Sequence, residues 1–254
     1  MEAAGLGIFM ISASLFGTIL EYPGTPIHET LSDPFVRRMV MGVLMGLTAI
    51  SIIYSPWGQQ SGAHINPSVT LAFYRLGKIS GWDAIFYVLA QCLGGLAGMI
   101  LATIVLIPYI SAPSVNYVVT VPGSTGPTIA FVAEISISAV LIIMVLTISN
   151  SKMMSKYTGV VAGILVAIFI TWEAPFSGMS MNPARSLASA VPAWVWSSFW
   201  IYLSAPVLGM LLGAESYLLL AGRSRIKCAK LNHENQKRCI FRCSYQELQE
   251  APNR

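Results

Sequence analysis

The sequence predicts an all-α integral membrane fold, with six transmembrane helices and two re-entrant half-helices arranged as two inverted repeats. Three observations lead there. The 254 residues are 55% hydrophobic and only 10% charged, against about 25% charged residues in soluble domains. Charge-free runs cover 3–20, 84–133, 135–151, 157–172 and 186–214, and a hydrocarbon core about 30 Å thick takes about 20 helical residues to cross. The phrase "SGAHINPSVTLA" at 61–72 returns 116 residues later as "SGMSMNPARSLA" at 177–188, with six of twelve positions identical.

Breaking the runs at Pro, Gly and charge gives spans at about 3–20, 37–54, 84–107, 128–149, 157–172 and 194–220. The first begins almost at residue 1, with no basic leader or small-residue cleavage site, and reads as a retained span. The stretch "PYISAPSVNYVVTVPGSTGP" separates the third from the fourth and reads as a loop. The fifth is short and is expected to extend into its flanks.

Two pieces remain, at about 66–76 and 182–191. Each opens on Asn-Pro (Asn66-Pro67 and Asn182-Pro183); Asn is a good N-cap and Pro is pre-organised for the first helical position. At 1.5 Å per residue they reach about 15–17 Å, half the hydrocarbon thickness. They cannot cross. One follows span two and one follows span five, so the halves, about 1–107 and 128–222, each hold three spans and one half-helix. An odd number of spans per half turns the second upside down, and the half-helices then meet N-terminus to N-terminus near the midplane. Irregular backbone at that depth survives only where it is buried or lines an aqueous cavity, and inverted repeats with broken helices commonly place a solute site at their interface.

Charge is unevenly spread. The tail 223–254 has eight basic and three acidic residues, +5, and the remainder seven and eight, −1. This reads as a channel domain at 1–222 followed by a basic, cysteine-containing tail. Basicity confined to a tail beside one helix fits a membrane surface and not nucleic acid. Six spans put both ends on one side, and the Lys/Arg bias of inner loops makes it the cytoplasmic side of a cell (plasma or inner) membrane. Arg75, Lys78, Lys152 and Lys156 then fall inside and the uncharged loop 108–127 outside, with Arg37 and Arg38 as exceptions.

At "SGAHINPSVT" and "SGMSMNPARS", with an acidic residue in the first span of each half (Glu2 and Glu134) and six-plus-two spans, the sequence resembles the aquaporin (major intrinsic protein) family over about 1–222. The resemblance implies a passive pore in each subunit, usually within a homotetramer, with water as solute, no cofactor and the lipid bilayer as its surroundings. It makes Asn66 and Asn182 the pore midpoint, Arg185 part of the selectivity constriction, and Glu2 and Glu134 supports for the re-entrant loops. His64, in the family's "GAH", is expected at the inner vestibule, either touching solute or held as a satisfied loop histidine. The physics agrees independently: two amides offer N–H donors to a solute oxygen, two helix dipoles make the centre positive against cations and protons, and an Arg at membrane depth is a functional group by default.

Counting from the Asn residues without gaps carries the rest of the constriction to Gly46, Ile170 and Met179. The water-strict Phe and His are absent there, as is the aromatic pair typical of glycerol channels. Ser186 and Ala190 lean toward water. The order of expectation is therefore water first, then small neutral solutes such as glycerol, urea or ammonia.

In the tail, "CAKLNHENQKRCIFRC" spaces its cysteines like no standard finger. No metal is expected, with Cys228, His233, Cys239 and Cys243 the weak candidates for a zinc set and free thiols in a mobile tail the favoured reading. An enzyme lacks its parts here: no nucleophile–base pair, phosphate loop or paired carboxylates. A coupled secondary transporter would rest on Glu2 or Glu134 and is disfavoured.

Overall fold

The structure is a computed structural model, and it describes residues 1–246. The final eight residues of the basic tail, with Glu247, Glu250 and Arg254, lie outside the described residues. The elements are α1 (Glu2–Glu21), α2 (Pro26–Thr30), α3 (Pro34–Tyr54), α4 (Pro56–Ser61), α5 (Pro67–Arg75), α6 (Gly81–Leu106), α7 (Pro127–Ser149), α8 (Thr158–Trp172), α9 (Ala174–Ser177), α10 (Pro183–Ala193) and α11 (Phe199–Ala221), joined by short 3-10 turns.

Six of these are long and apolar enough to cross a membrane: α1, α3, α6, α7, α8 with its leading turn (Ser155–Trp172), and α11. Their surfaces are apolar where they face outward, as at Ile104, Val105, Leu219 and Leu220. Starts follow side-chain caps. Asp33 accepts from the Phe35 N–H at 2.8 Å ahead of Pro34, and Ser80 both accepts from the Asp83 N–H at 3.2 Å and donates to its carboxylate at 2.7 Å. The sixth span starts at Phe199 and not near 194, because Trp194 and Ser198 take left-handed φ of 53° and 59° that no continuous helix allows.

The two halves pack by the same rule. α1 lies along α6 and α7 along α11, while α3 and α8 cross at the interface of the halves. The close approaches rest on missing side chains. A Cβ on Gly98 would sit 2.3 Å from the Gly7 carbonyl oxygen, and one on Gly213 would sit 2.7 Å from that of Ala139. The half-helices α5 and α10 both wedge between α6 and α11. Neither is long enough to span.

Candidate functional site

Each re-entrant loop hangs from one buried carboxylate. Glu2 Oε1 accepts from Ser61 Oγ at 2.7 Å and the His64 N–H at 3.2 Å, and its Oε2 from the Ile65 N–H at 2.6 Å and Gln91 Nε2 at 2.8 Å. Glu134 repeats the arrangement with Ser177 Oγ, the Ser180 N–H and the Met181 N–H, all at 2.7 Å. Tyr87 and Tyr202 hydroxyls donate to the carbonyls of Ser61 and Ser177, both at 2.6 Å. These bonds hold Ala63, Ile65, Met179 and Met181 at positive φ, between 41° and 55°. Such backbone is costly for side-chain-bearing residues and persists only where its surroundings over-determine it.

The strained loops deliver the Asn-Pro pairs. Asn66 Oδ1 accepts from the Ser68 N–H at 2.8 Å, and Asn182 Oδ1 from the Ala184 and Arg185 N–H groups at 3.1 and 3.2 Å, with Pro67 and Pro183 at the first helical positions. Their amide nitrogens cross to the opposite loop: Asn66 Nδ2 donates to the Met181 carbonyl at 2.7 Å and Asn182 Nδ2 to the Ile65 carbonyl at 2.8 Å. An amide nitrogen carries two N–H groups, so each keeps one for a solute.

A cavity of about 300 Å³ runs past them. Ala63, His64 and Leu231 line it toward the face carrying the tail, and Glu21, Arg38 and Val118 toward the far face. Between lie Asn66, Asn182, Arg185, Ile170, Met179 and Met45. Arg185 Nη1 has no hydrogen-bond partner among the described residues, so a donor faces the passage.

One expected wall residue lies elsewhere. Gly46 packs against α8, where a Cβ would stand 2.5 Å from the Gly163 carbonyl oxygen, and Met45 of the same turn lines the cavity in its place. The count back from Asn66 stops one residue short because it crosses the break at Ser55 and the short helix α4, which do not keep the register of α3. Met45 is therefore the site residue the sequence reading missed, and the helical spacing of Met41, Met45 and Ala49 was the signal for it.

His64 is a satisfied loop histidine as well as a cavity residue. Its Nδ1 lies 3.1 Å from Thr70 Oγ1 and its Nε2 2.8 Å from the Ala229 carbonyl oxygen. The ring stacks between Phe73 and Phe241 at 5.1 and 5.4 Å. Ala229 and Phe241 belong to the tail, which is packed where a mobile segment was expected. Within it the ligand atoms of Cys228, His233, Cys239 and Cys243 all lie within 4.8 Å of one another.

At the far end of α8, burial pushes the Glu173 carboxyl from the ordinary 4.5 up to about 7, and the nearby Glu134 adds to this. A raised acid pKa means that the fold favours the protonated form, so this contribution to stability is whole below about 4.5 and lost as pH rises through about 7. Thermal unfolding in detergent should give Glu173→Gln a smaller loss of Tm between pH 5 and pH 8 than the parent chain. Equal losses would remove Glu173 from the account.

A profile of the family described as major intrinsic protein matches residues 6–217. A protein of Arabidopsis thaliana described as probable aquaporin NIP7-1 is 31% identical over 220 residues, 85% of this chain and 78% of its own. Aquaporin NIP3-1 of Zea mays is 35% identical over 192 residues, 75% of this chain and 59% of its own. Aquaporin-4 of Mus musculus is 33% identical over 185 residues, 72% of this chain and 56% of its own. The chain thus matches less than two thirds of the length of the last two. Among solved structures, the aquaglyceroporin from Plasmodium falciparum shares the fold, with a TM-score of 0.67 and 19% identity over 85% of this chain and 92% of that one.

Proposed function

The chain belongs to the major intrinsic protein family, whose members are channels and not enzymes, and from that premise we propose that it is a passive water channel that excludes cations and protons. The observation that carries this reading is the reciprocal Asn66–Asn182 arrangement beside a free Arg185 donor in a cavity otherwise walled by Met45, Ile170 and Met179. A water accepting from both amides has its own hydrogens turned outward along the passage, so a hydrogen-bonded chain of one polarity cannot run through it. The two half-helix N-termini and Arg185 make the centre positive, which raises the cost of a cation there. Met45 supplies the bulk that Gly46 would have left missing, which supports a narrow passage.

A second reading has its own observation. Met45 and Met179 are unbranched thioethers, which re-pack more readily than rings do. Swung aside, they would admit glycerol, urea or ammonia. Stopped-flow light scattering of reconstituted vesicles, first under an outward osmotic gradient and then an inward glycerol gradient, separates the two. Fast shrinkage without fast glycerol re-swelling is the expected result; fast response in both would replace the water reading with the wider one.

Two neighbouring substitutions test the constriction itself. Met45→Ala should keep the fold and raise glycerol entry several-fold over the parent chain. Gly46→Val should instead cost folded yield, since its Cβ meets the α8 backbone and overpacking costs about 1–3 kcal/mol or more. Reversed outcomes would restore Gly46 to the wall.

The same reading divides the chain into a channel domain at 1–222 and a tail domain beyond it. It places the tail and the N-terminal end in the cytoplasm of a cell membrane, by the Lys/Arg bias. A homotetramer follows from the family likeness; native mass measurement in mild detergent tests it.

A further inference from the structure

The tail carries a feature that a water passage does not require. From Ile226 to Tyr245 there is neither helix nor strand, yet Ile226, Cys228, Ala229, Lys230, Leu231, Asn232 and Tyr245 are all buried. Coil so deeply packed needs something to offset its ordering entropy. Three thiols and an imidazole converge at its centre. Cys228 Sγ lies 3.4 Å from Cys239 Sγ, and His233 Nε2 lies 3.0 Å from Cys243 Sγ. A tetrahedral zinc with Zn–S near 2.3 Å holds its sulfurs about 3.8 Å apart, so the cluster is of the right size. The backbone N–H groups of Lys230 and Tyr245 donate to Cys228 Sγ and Cys243 Sγ, both at 3.5 Å, as the outer partners of ligating thiolates do. Three thiolates and Zn²⁺ sum to one negative charge, and the buried Lys230, whose Nζ donates to Asn235 Oδ1 at 3.0 Å and the Lys237 carbonyl at 3.1 Å, places a positive charge in the same loop. Tyr245 stacks on the His233 ring at 4.1 Å, and its hydroxyl is tied to Ser155 Oγ at 2.8 Å.

The ligands bracket the residues that touch the pore mouth. Between Cys228 and His233, the Ala229 carbonyl meets His64 Nε2, the Leu231 N–H donates to the Gly62 carbonyl at 3.2 Å, and Leu231 lines the cavity. Between Cys239 and Cys243, Phe241 stacks on His64. Whatever fixes the four ligands fixes both contacts.

We propose that Cys228, His233, Cys239 and Cys243 bind a zinc ion, and that the zinc-held tail is a partial stopper that narrows the tail-side mouth without closing it, so that metal loss widens the passage. The site stands on its own geometry; the stopper rests on the channel reading above. Soft thiolates with one imidazole select zinc over magnesium or calcium, and a site built in coil couples metal binding to folding.

The test uses the full chain purified under reducing conditions, with metal content measured by plasma mass spectrometry and Co²⁺ exchanged in as a spectroscopic probe. Expected are one zinc per chain, thiolate-to-cobalt charge-transfer bands, loss of both in Cys243→Ser and His233→Ala, and retention in His233→Cys, which keeps four ligands. A chain without stoichiometric zinc that also fails to take up Zn²⁺ or Co²⁺ overturns the site, and so does a Cys228–Cys239 disulfide in the reduced preparation. In vesicles, chelation should raise water permeability several-fold and added Zn²⁺ reverse it, while Leu231→Ala should raise it with zinc still bound. Permeability unmoved by chelation and by Leu231→Ala overturns the stopper while the zinc count upholds the site. Vesicles no leakier than empty ones in every state, zinc bound or removed, would instead count against the channel reading.

Discussion

Replacing Glu134 by Ala is expected to abolish most of the folded yield. Its carboxylate takes three donors, Ser177 Oγ and the Ser180 and Met181 N–H groups, at 2.7 Å each and fully buried. Removing it leaves all three buried donors without their acceptor. Each unsatisfied buried donor costs about 1–3 kcal/mol, so the total is on the order of 4 kcal/mol and falls on a loop already held at positive φ. Glu134→Gln should be milder: its oxygen can serve Ser177 and Ser180, but its amide then points N–H against the Met181 N–H. Fluorescence-detected size exclusion and Tm in detergent should rank parent above Gln above Ala. A Glu134→Ala chain with parental yield and Tm would show that the loop is held by something other than its carboxylate.

Asn182→Asp is expected to keep the fold and lose the selectivity. Asp caps a helix as well as Asn does and favours its positive end, so α10 should start where it does now. What disappears is the donation from Asn182 Nδ2 to the Ile65 carbonyl at 2.8 Å, and what arrives is a full negative charge at the midpoint. At about 5 Å and an effective dielectric near ~20, that charge changes a cation's energy by about 3 kcal/mol. This corresponds to a cation conductance on the order of a hundredfold higher. Proton and potassium flux into vesicles, measured beside water permeability, gives the readout. Unchanged cation flux with a normal fold would mean that Arg185, not the paired helix ends, sets the barrier.

The sequence made the architecture legible where physics is local or repetitive. Apolar runs mark the spans because lipid tolerates little else, and the doubled Asn-Pro phrase marks the half-helices because a cap and a first-turn Pro are properties of neighbouring residues. The roles of Glu2 and Glu134 came with the family resemblance, which their matching places in the two halves helped to carry. Two things were out of reach. The wall residue at α3 depends on how many residues the turn through Pro56–Ser61 consumes, which is a matter of tertiary length and not of helical period. The packed tail depends on Ala229, Leu231 and Phe241 finding a His64 loop more than 160 residues earlier, and no local pattern in "CAKLNHENQKRCIFRC" encodes that meeting.

The crossed Asn amides also set a schedule for synthesis. Asn66 finds its acceptor on Met181, 115 residues further along the chain. At roughly 5–20 residues per second of translation, that partner is made about 6–23 s after Asn66 itself. For that interval the first half stands in the membrane with its midpoint amide unclasped, open to water and to whatever surveys unfinished membrane proteins. The bond that joins the two halves at the midplane is, until then, a promise held by the first alone.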